Sequence, residues 1–224
     1  PVSKIHINAL SSHFKLDTST LHCCVETNQQ NTYTLKIELI DDGEIVSESV
    51  NSFASRAESK LQLEVPDAAL WSPDSPQLYD LRLSLFDDEG ALVDEVTSYA
   101  GLREISHDGQ SITLNGNPLY LRGVLDQGYF EQGWYTAVDD ATLRKDVELT
   151  LALGFNCARK HQKIEDPRYL YWADQLGLLV WEEMPSGRVF TNELVSTLTD
   201  EWLSVIRRDR QHPCIIAWVP FNES

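Results

Sequence analysis

The sequence lacks the features that mark membrane and nucleic-acid-binding proteins. It has no apolar run long enough to span a bilayer and no signal-peptide pattern at its N-terminus. It also lacks any block of lysine and arginine. The formal net charge is −17, and both halves of the chain are acidic. Nucleic-acid binding depends on clustered positive charge. We therefore expect neither a nucleic-acid nor a membrane partner, and the acidity is typical of a solubilising surface.

The usual signatures of metal, redox and nucleotide chemistry are missing as well. There are only four cysteines, and no spacing resembles a metal site. Cys23 and Cys24 are adjacent, so on a strand they would point to opposite faces and could not readily pair. Cys157 and Cys214 stand in apolar contexts typical of small buried side chains. No Gly-rich phosphate loop, GxSxG or HExxH motif is present. The sequence predicts no metal and no cofactor, and its cysteines favour a reducing compartment such as the cytoplasm.

The first part of the sequence, residues 1–101, has the pattern of an antiparallel β-sandwich. Three runs alternate apolar and polar residues with the period of half-buried strands: 33–40, 61–65 and 79–86. Turn signals separate such runs, DDGE at 41–44 and DDEGA at 87–91. The segment 70–79 carries two prolines and is interpreted as a rigid crossing segment. Five to seven short strands in about a hundred residues favour an immunoglobulin-like sandwich.

From 102 to 224 the pattern changes to alternating strands and helices. Four short apolar runs predict strands: 119–125, 155–161, 178–184 and 214–223. Helical stretches lie between them, the first of them capped by Asp139 or Asp140, and the last is predicted over 192–211. The middle one has Asp166 at the N-cap, followed by Pro167. Repeated βα units predict a parallel sheet with helices outside, as in a (β/α)₈ barrel.

Each predicted strand of the barrel ends in polar residues. These are Asp126 and Gln127, Arg159 and His161, Glu182 and Glu183, and Asn222 and Glu223. In a barrel the carboxyl ends of the strands form the active-site face. An asparagine amide such as that of Asn222 can hold a sugar hydroxyl while the neighbouring carboxyl group protonates a glycosidic oxygen. Trp134 is predicted to lie in a loop, where it could stack on a sugar ring.

The remaining candidates have structural as well as functional interpretations. A buried charge at Arg159 needs a partner, and a carboxylate of the site is the natural one. His161, two residues later, is expected on the same face, and a structural histidine explains it equally well. Asp126 is a candidate ligand for substrate hydroxyls, with a structural role equally open. Side chains alternate along a strand, so at most one of Glu182 and Glu183 faces the barrel axis.

These motifs resemble glycoside hydrolase family 2, the β-galactosidase and β-glucuronidase group. The segment RDRQHPCIIAWVPFNES is similar to the one that carries the general acid/base of that family. LWSPDSPQLYDLRLSL followed by GLREI is similar to the end of its immunoglobulin-like domain as the chain enters the barrel. LNGNPLYLRGV, LGFNCARKH and DQLGLLVWEEMP are similar to its first three barrel strands. The resemblance extends over essentially the whole chain.

The resemblance implies Glu223 as the general acid/base, Asn222 as its substrate-contacting neighbour and Arg159 as the arginine of the second strand. A retaining glycosidase also needs a nucleophilic carboxylate about 5 Å from the acid/base, and in the family the seventh strand supplies it. We therefore expect an internal piece of such an enzyme, inactive alone: an immunoglobulin-like domain over 1–101 and the first four βα units of a TIM barrel over 102–224. RKHQKIEDP and LDQGYF depart from the family pattern, which leaves the sugar open.

Two alternatives remain open. In the first, the chain is a non-catalytic carbohydrate-binding or scaffold module, which would bind sugar and tolerate Glu223→Gln. In the second, two half-barrels pair as a homo-oligomer, with Glu182 or Glu183 as the second carboxylate. Half a barrel would leave open sheet edges and exposed apolar surface, which favours self-association.

Overall fold

The computed structural model describes residues 5–187, 189 and 191–223. No helix in these ranges combines the length and the apolar character needed to cross a membrane. Nor does this described part contain a group of three or more His, Cys, Asp and Glu side chains arranged to hold a metal ion. All four cysteines are free thiols. Burial raises the pKa of the Cys23 and Cys157 thiols to about 12.

The chain forms two compact units. The first comprises the chain as far as Trp71 together with Gln77–Glu104, and the second comprises Ser72–Pro76 together with the residues from Ile105 onward. The segment 72–76 therefore belongs to the second unit, although the residues on both sides of it in sequence belong to the first. It lies in the proline-rich stretch that was predicted to be a crossing segment, and it forms only an isolated bridge between Ser72 and Ser75.

The first unit is built from five antiparallel strands. These are β1 (Ile7–Lys15), β2 (Thr20–Asp41), β3 (Glu44–Glu64), β4 (Tyr79–Phe86) and β5 (Leu92–Ala100). The amino half of β2 pairs with β1 and its carboxyl half pairs with β4, while β3 runs beside both halves. The register between β2 and β3 shifts between Glu26 and Tyr33, so the ladder divides into two parts. The short strands predicted from the sequence are thus joined into two long ones through a polar stretch.

One hydrophobic core holds the two parts of this ladder together. It contains the alternate residues that the sequence pattern predicted, all essentially inaccessible: Leu35, Ile37, Leu39, Leu61, Leu63, Leu81, Leu83 and Leu85. Leu21 and Val25 from the amino half of β2 belong to the same core. A slip of one residue in register would turn such a set outward, so burial fixes the pairing. The predicted turn between β2 and β3 is a two-residue loop with positive φ at Asp42 (46°) and Gly43 (86°), which suits a tight hairpin.

The second unit contains a short antiparallel meander and a parallel sheet with helices. Its elements are β6 (Ile105–His107), β7 (Ile112–Leu114), β8 (Asn117–Pro118), β9 (Gly123–Asp126), α1 (Asp140–Ala152), β10 (Cys157–Lys160), α2 (Pro167–Leu176), β11 (Leu179–Glu183), α3 (Asn192–Asp209) and β12 (Ile215–Val219). The four strands β9 to β12 are parallel, and each pairs with the next in sequence. A helix connects each consecutive pair of these strands.

The first parallel strand begins later than the sequence pattern predicts. The apolar run 119–125 suggested a strand, whereas β9 starts only at Gly123, which pairs with Cys157. The residues before Gly123 make other contacts: the Leu119 N–H bonds to the meander, and the Arg122 N–H donates to the side chain of Asn156 at 2.7 Å. The apolar pattern alone could not distinguish the residues that pair within the parallel sheet from those that bond to the meander or to Asn156.

The helix ends follow the predicted capping residues. Asp139 rather than Asp140 caps α1, because its Oδ1 accepts the N–H of Thr142 at 2.8 Å. Asp166 caps α2 in the same manner. Gly177 ends α2 in the left-handed conformation, φ 82°, and a Cβ there would clash with the backbone of the crossing segment.

The two faces of the parallel sheet differ in what they meet. Residues in register on neighbouring parallel strands share a face, so Arg159 and Glu183 lie on one face while Lys160 and Glu182 lie on the other. The Lys160 ammonium lies 4.2 Å from the ring centroid of Tyr169 on α2. The second face is therefore the helix side, and the face of Arg159 is the one on which a barrel site would form.

Candidate active site

Arg159, next to the last residue of β10, bonds to one side chain on β11 and to one that follows β12. Its Nε donates to Oε2 of Glu183 on β11 at 2.6 Å, and its Nη2 donates to Oδ1 of Asn222 beyond β12 at 3.0 Å. The Glu183 side chain is fully buried, whereas that of Arg159 is 34% exposed. A buried carboxylate is stable only when it is paired and hydrogen-bonded. Glu183 therefore holds the guanidinium in one orientation, with part of it still accessible.

His161 converges on the same carboxylate. Its Nδ1 lies 3.1 Å from Oε1 of Glu183, but the two atoms are not aligned for a hydrogen bond. We treat this contact as one of charge and proximity, since a hydrogen bond needs direction as well as distance. The backbone N–H of Gln162 is aligned and donates to the same Oε1 at 3.1 Å. The expectation from sequence that Arg159 and His161 share a face agrees with these contacts.

Asn222 and Glu223 follow β12 directly. The Asn222 N–H donates to Oγ of Ser186 at 3.3 Å, and its side chain accepts from Arg159. Glu223 is exposed and has φ 50°, in the left-handed region that favours glycine. Such strain in a non-glycine residue tends to occur at functional sites. The structure thus brings Arg159 and Asn222 together, with Glu223 as the next residue along the chain.

Asp126, the fourth predicted substrate contact, lies in a different group. One of its oxygens accepts from the Lys160 ammonium and the other accepts from the Gly128 N–H at 2.7 Å. Lys160 also contacts Oε2 of Glu165 at 2.8 Å. The structure therefore places the Asp126 carboxylate in an ion cluster on the helix side, and its predicted contact with sugar hydroxyls stays a prediction.

Sequence reasoning missed this buried ion cluster, which we define as Asp126, Lys160, Lys163 and Glu165. The two lysines and Glu165 are almost wholly inaccessible. Burial by itself lowers the pKa of Lys160, but the carboxylates of Glu165 and Asp126 outweigh burial and hold that pKa above its usual value. The signal in the sequence is the alternation along β10, where Lys160 shares a face with the buried Ala158.

Glu182 is buried beside Glu183 but on the helix side. Burial, followed by the nearby charge of Asp209, raises the pKa of Glu182 to about 8. Its Oε1 accepts a long hydrogen bond from the Glu165 N–H at 3.4 Å. Glu182 is therefore expected to be protonated in the folded protein at neutral pH.

Replacing Glu182 by glutamine is expected to remove a pH dependence of stability. The folded state keeps a proton on Glu182 up to pH about 8, whereas the unfolded state loses it near its ordinary value of 4.5. The wild-type free energy of unfolding should therefore fall as pH rises between these values, by up to about 1.4 kcal/mol per pH unit. Urea unfolding at pH 5.5, 6.5 and 7.5 measures this slope, and the Glu182→Gln slope should be smaller.

The informative quantity is the difference between the two slopes, because other groups also titrate. His212 contributes in the same direction, since its pKa is raised: burial opposes the shift, but hydrogen bonding to Asp174 outweighs it. Glu201→Gln, on the exposed side of α3, is the matched control and should follow the wild type. Parallel pH profiles for wild type and Glu182→Gln would contradict the raised pKa.

Two family profiles match the chain. The profile described as "Glycosyl hydrolases family 2" matches residues 5–103, and "Glycosyl hydrolases family 2, TIM barrel domain" matches residues 105–224. The second match alone covers more than half of the chain. The chain therefore belongs to glycosyl hydrolase family 2 and carries sequence of its immunoglobulin-like and TIM barrel domains.

Individual relatives are β-galactosidases and β-glucuronidases. A β-galactosidase from Vibrio cholerae is 26% identical over 99% of this chain and 23% of its own length. Another, from Thermoanaerobacter pseudethanolicus, is 32% identical over 84% of this chain and 26% of its own. Among solved structures, a β-glucuronidase from Ruminococcus gnavus in complex with D-glucuronic acid superposes with a TM-score of 0.85 at 26% identity, over 99% of this chain and 38% of that one. The chain thus spans about a quarter of the length of these curated relatives.

Proposed function

We propose that this chain is part of a retaining exo-glycosidase that removes a terminal β-linked sugar. Residues 1–101 would be its immunoglobulin-like domain, and 102–224 would supply the first four βα units of its barrel. The observation that carries the proposal is the hydrogen bond from Arg159 to Asn222. It brings the arginine of the second parallel strand to the residue that precedes a strained, exposed glutamate.

The residues divide into an acid/base and groups that bind the sugar. Glu223 would protonate the leaving oxygen and later activate water. The Oδ1 of Asn222 accepts from Arg159, and the Asn222 amide is proposed to hold a sugar hydroxyl. Arg159 and His161 are proposed to contact the substrate from the same face. A substrate contact by Asp126 has less support, since its carboxylate already accepts from Lys160 and Gly128.

Neither Glu182 nor Glu183 is placed to attack a substrate as a nucleophile, because both side chains are fully buried. The Glu183 carboxylate accepts from Arg159 and from the backbone of Gln162. Glu182 lies on the helix side with a pKa raised to about 8, so it is poorly ionised at neutral pH. These contacts support a nucleophile supplied by polypeptide beyond the described residues, and they weigh against the alternative in which two half-barrels share these glutamates.

The isolated chain is expected to be essentially inactive. A retaining mechanism needs two carboxylates about 5 Å apart, and the second is proposed to lie outside the chain. The measurement is release of 4-nitrophenolate from the β-D-galactopyranoside and the β-D-glucuronide, compared with a full-length family 2 enzyme. We expect a rate lower by far more than tenfold. A rate within tenfold that disappears in Glu223→Gln would show that the chain already contains both carboxylates, contrary to the proposal.

A further inference from the structure

The loop that follows β9 exposes a group of large aromatic side chains. Tyr129, Trp134 and Tyr135 are 66%, 78% and 48% exposed, and we call these three residues the aromatic platform. The rings of Tyr129 and Tyr135 lie 5.7 Å apart, tilted by 58°. Trp134 adjoins Tyr135 in sequence, and several large exposed aromatic side chains in one loop are a candidate interaction site.

The loop holds Trp134 in a strained conformation. Trp134 has φ 54°, and its backbone exchanges two hydrogen bonds with Phe130, at 2.9 and 2.7 Å. A Cβ at Gly133 would clash with the carbonyl oxygen of Thr136, so the tight turn needs glycine. Strain of this kind persists only where surrounding contacts impose it. The turn therefore fixes the backbone position from which the Trp134 indole projects.

A buried lysine anchors the platform from below. The Lys163 ammonium donates to the carbonyl of Gly128 at 2.7 Å and lies 4.6 Å from the ring centroid of Tyr135. The Lys163 side chain is 5% exposed, and Glu165 neutralises it at 3.1 Å. Cation–π contact of this type stabilises the ring position. The charge beneath the platform is thus already paired by Glu165, and the same loop carries the exposed carboxylate of Glu131.

The platform is connected to the candidate active site through one residue. The Tyr135 hydroxyl donates to the carbonyl of Gln162 at 3.3 Å, and the Gln162 N–H donates to Glu183 at 3.1 Å. The same Glu183 carboxylate holds Arg159. The side chain of Gln162 also accepts from Ser186, which in turn bonds Asn222. The aromatic surface therefore lies beside the site, at the same carboxyl edge of the sheet.

We propose that Tyr129, Trp134 and Tyr135 form a subsite that stacks against a neutral pyranose ring on the leaving-group side of a β-glycoside. The inference rests on the proposed function. A terminal sugar held by Arg159 and Asn222 leaves its glycosidic oxygen and the next ring pointing towards the rim. The C–H face of a pyranose is apolar while its hydroxyls are polar, which matches amphipathic tyrosine and tryptophan side chains. The exposed carboxylate of Glu131 in the same loop would repel an anionic ring, which favours an uncharged one.

The test follows the indole N–H signals of the isolated chain by ¹⁵N–¹H NMR during titration with lactose, and Trp134→Phe assigns the relevant signal. We expect this signal to shift and Trp134→Ala to weaken lactose binding by at least about fivefold. Tyr129→Ala should weaken it as well, which covers the case in which Trp134→Ala fails to fold. Tyr120→Ala is the matched control, because Tyr120 is 79% exposed but precedes β9 instead of following it.

The outcomes separate the subsite from the proposed acid/base. Lactose binding that needs Trp134 but tolerates Glu223→Gln supports the subsite, even if Glu223 proves dispensable for catalysis in a longer enzyme. Equal binding by wild type, Trp134→Ala and Tyr129→Ala overturns the subsite, as does the absence of any lactose-dependent shift at 100 mM. Self-association that Trp134→Ala abolishes, without sugar binding, would assign the platform to a contact between copies and would also overturn the proposal.

Discussion

The free energy of unfolding of the second unit is expected to fall by about 3 kcal/mol when Lys160 is replaced by methionine. Lys160 is fully buried between the carboxylates of Asp126 and Glu165. Methionine fills a similar volume but leaves these carboxylates without their shared cation. The Lys163 ammonium, 3.1 Å from Glu165, compensates in part, so the effect belongs at the lower end of the range for broken buried pairs. Urea unfolding, followed by tryptophan fluorescence, measures it.

A second substitution tests whether the unpaired buried charge is the cause. If it is, the double variant Lys160→Met/Glu165→Gln should lose less stability than the sum of the losses measured for the two single variants. Lys145→Met, an exposed lysine on α1, is the matched control and should change the stability by less than about 0.5 kcal/mol. Simple additivity of Lys160→Met and Glu165→Gln would show that lost packing, and not the charge, dominates.

The sequence pattern predicted the core of the first unit because burial there follows the two-residue period of strands. Leu35, Ile37 and Leu39 alternate with polar residues, and all three are inaccessible in the structure. The pattern could not predict that β2 continues through its polar middle, because that depends on long-range pairing with β3 on either side of the register shift. Helix ends were predictable for a different reason, since capping by Asp166 and termination at Gly177 are local.

The candidate site was predictable residue by residue but not as a set of contacts. Placement at the ends of parallel strands singled out Arg159 and Asn222, and the structure joins them. The same placement singled out Asp126, whose carboxylate instead meets Lys160. The reason is register, because Asp126 pairs with Lys160, and paired residues share the helix side of the sheet. A single sequence can predict that a residue ends a strand. The face of the sheet that the residue occupies depends on how the strands pair.

Under the proposed function, the buried Glu183 carboxylate would position Arg159 and take no direct part in the chemistry. Glu183 accepts from the Arg159 Nε and from the Gln162 N–H, and Arg159 then binds Asn222. Three strand ends are thereby fixed relative to one another before substrate arrives. In the proposed enzyme, preorganisation of this kind would lower the cost of orienting a sugar hydroxyl against Asn222. Glu223 follows Asn222 directly along the chain.

In a whole enzyme that contains this chain, Glu223→Gln is expected to lower kcat by about 10²- to 10⁴-fold for glycosides with a poor leaving group. Glutamine keeps the shape of the side chain but has no proton to donate to the departing oxygen. A 2,4-dinitrophenyl glycoside needs no such proton, so its glycosylation step should be much less impaired. Comparing kcat/KM for the two substrates, which reports that step, separates loss of the acid from loss of binding.

The second half of the reaction gives an independent check on the same substitution. Glu223 is also proposed to activate the water that releases the sugar, so the Glu223→Gln enzyme should be rescued by azide, which attacks without a base and yields a β-glycosyl azide. Glu193→Gln, an exposed glutamate in the first turn of α3, is the control and should leave both substrates unaffected. An equal loss of kcat/KM for both leaving groups, with no azide product from a folded variant, would show that Glu223 is not the acid/base. Retention of the β-configuration in the azide product would follow from double inversion through a nucleophile opposite Glu223.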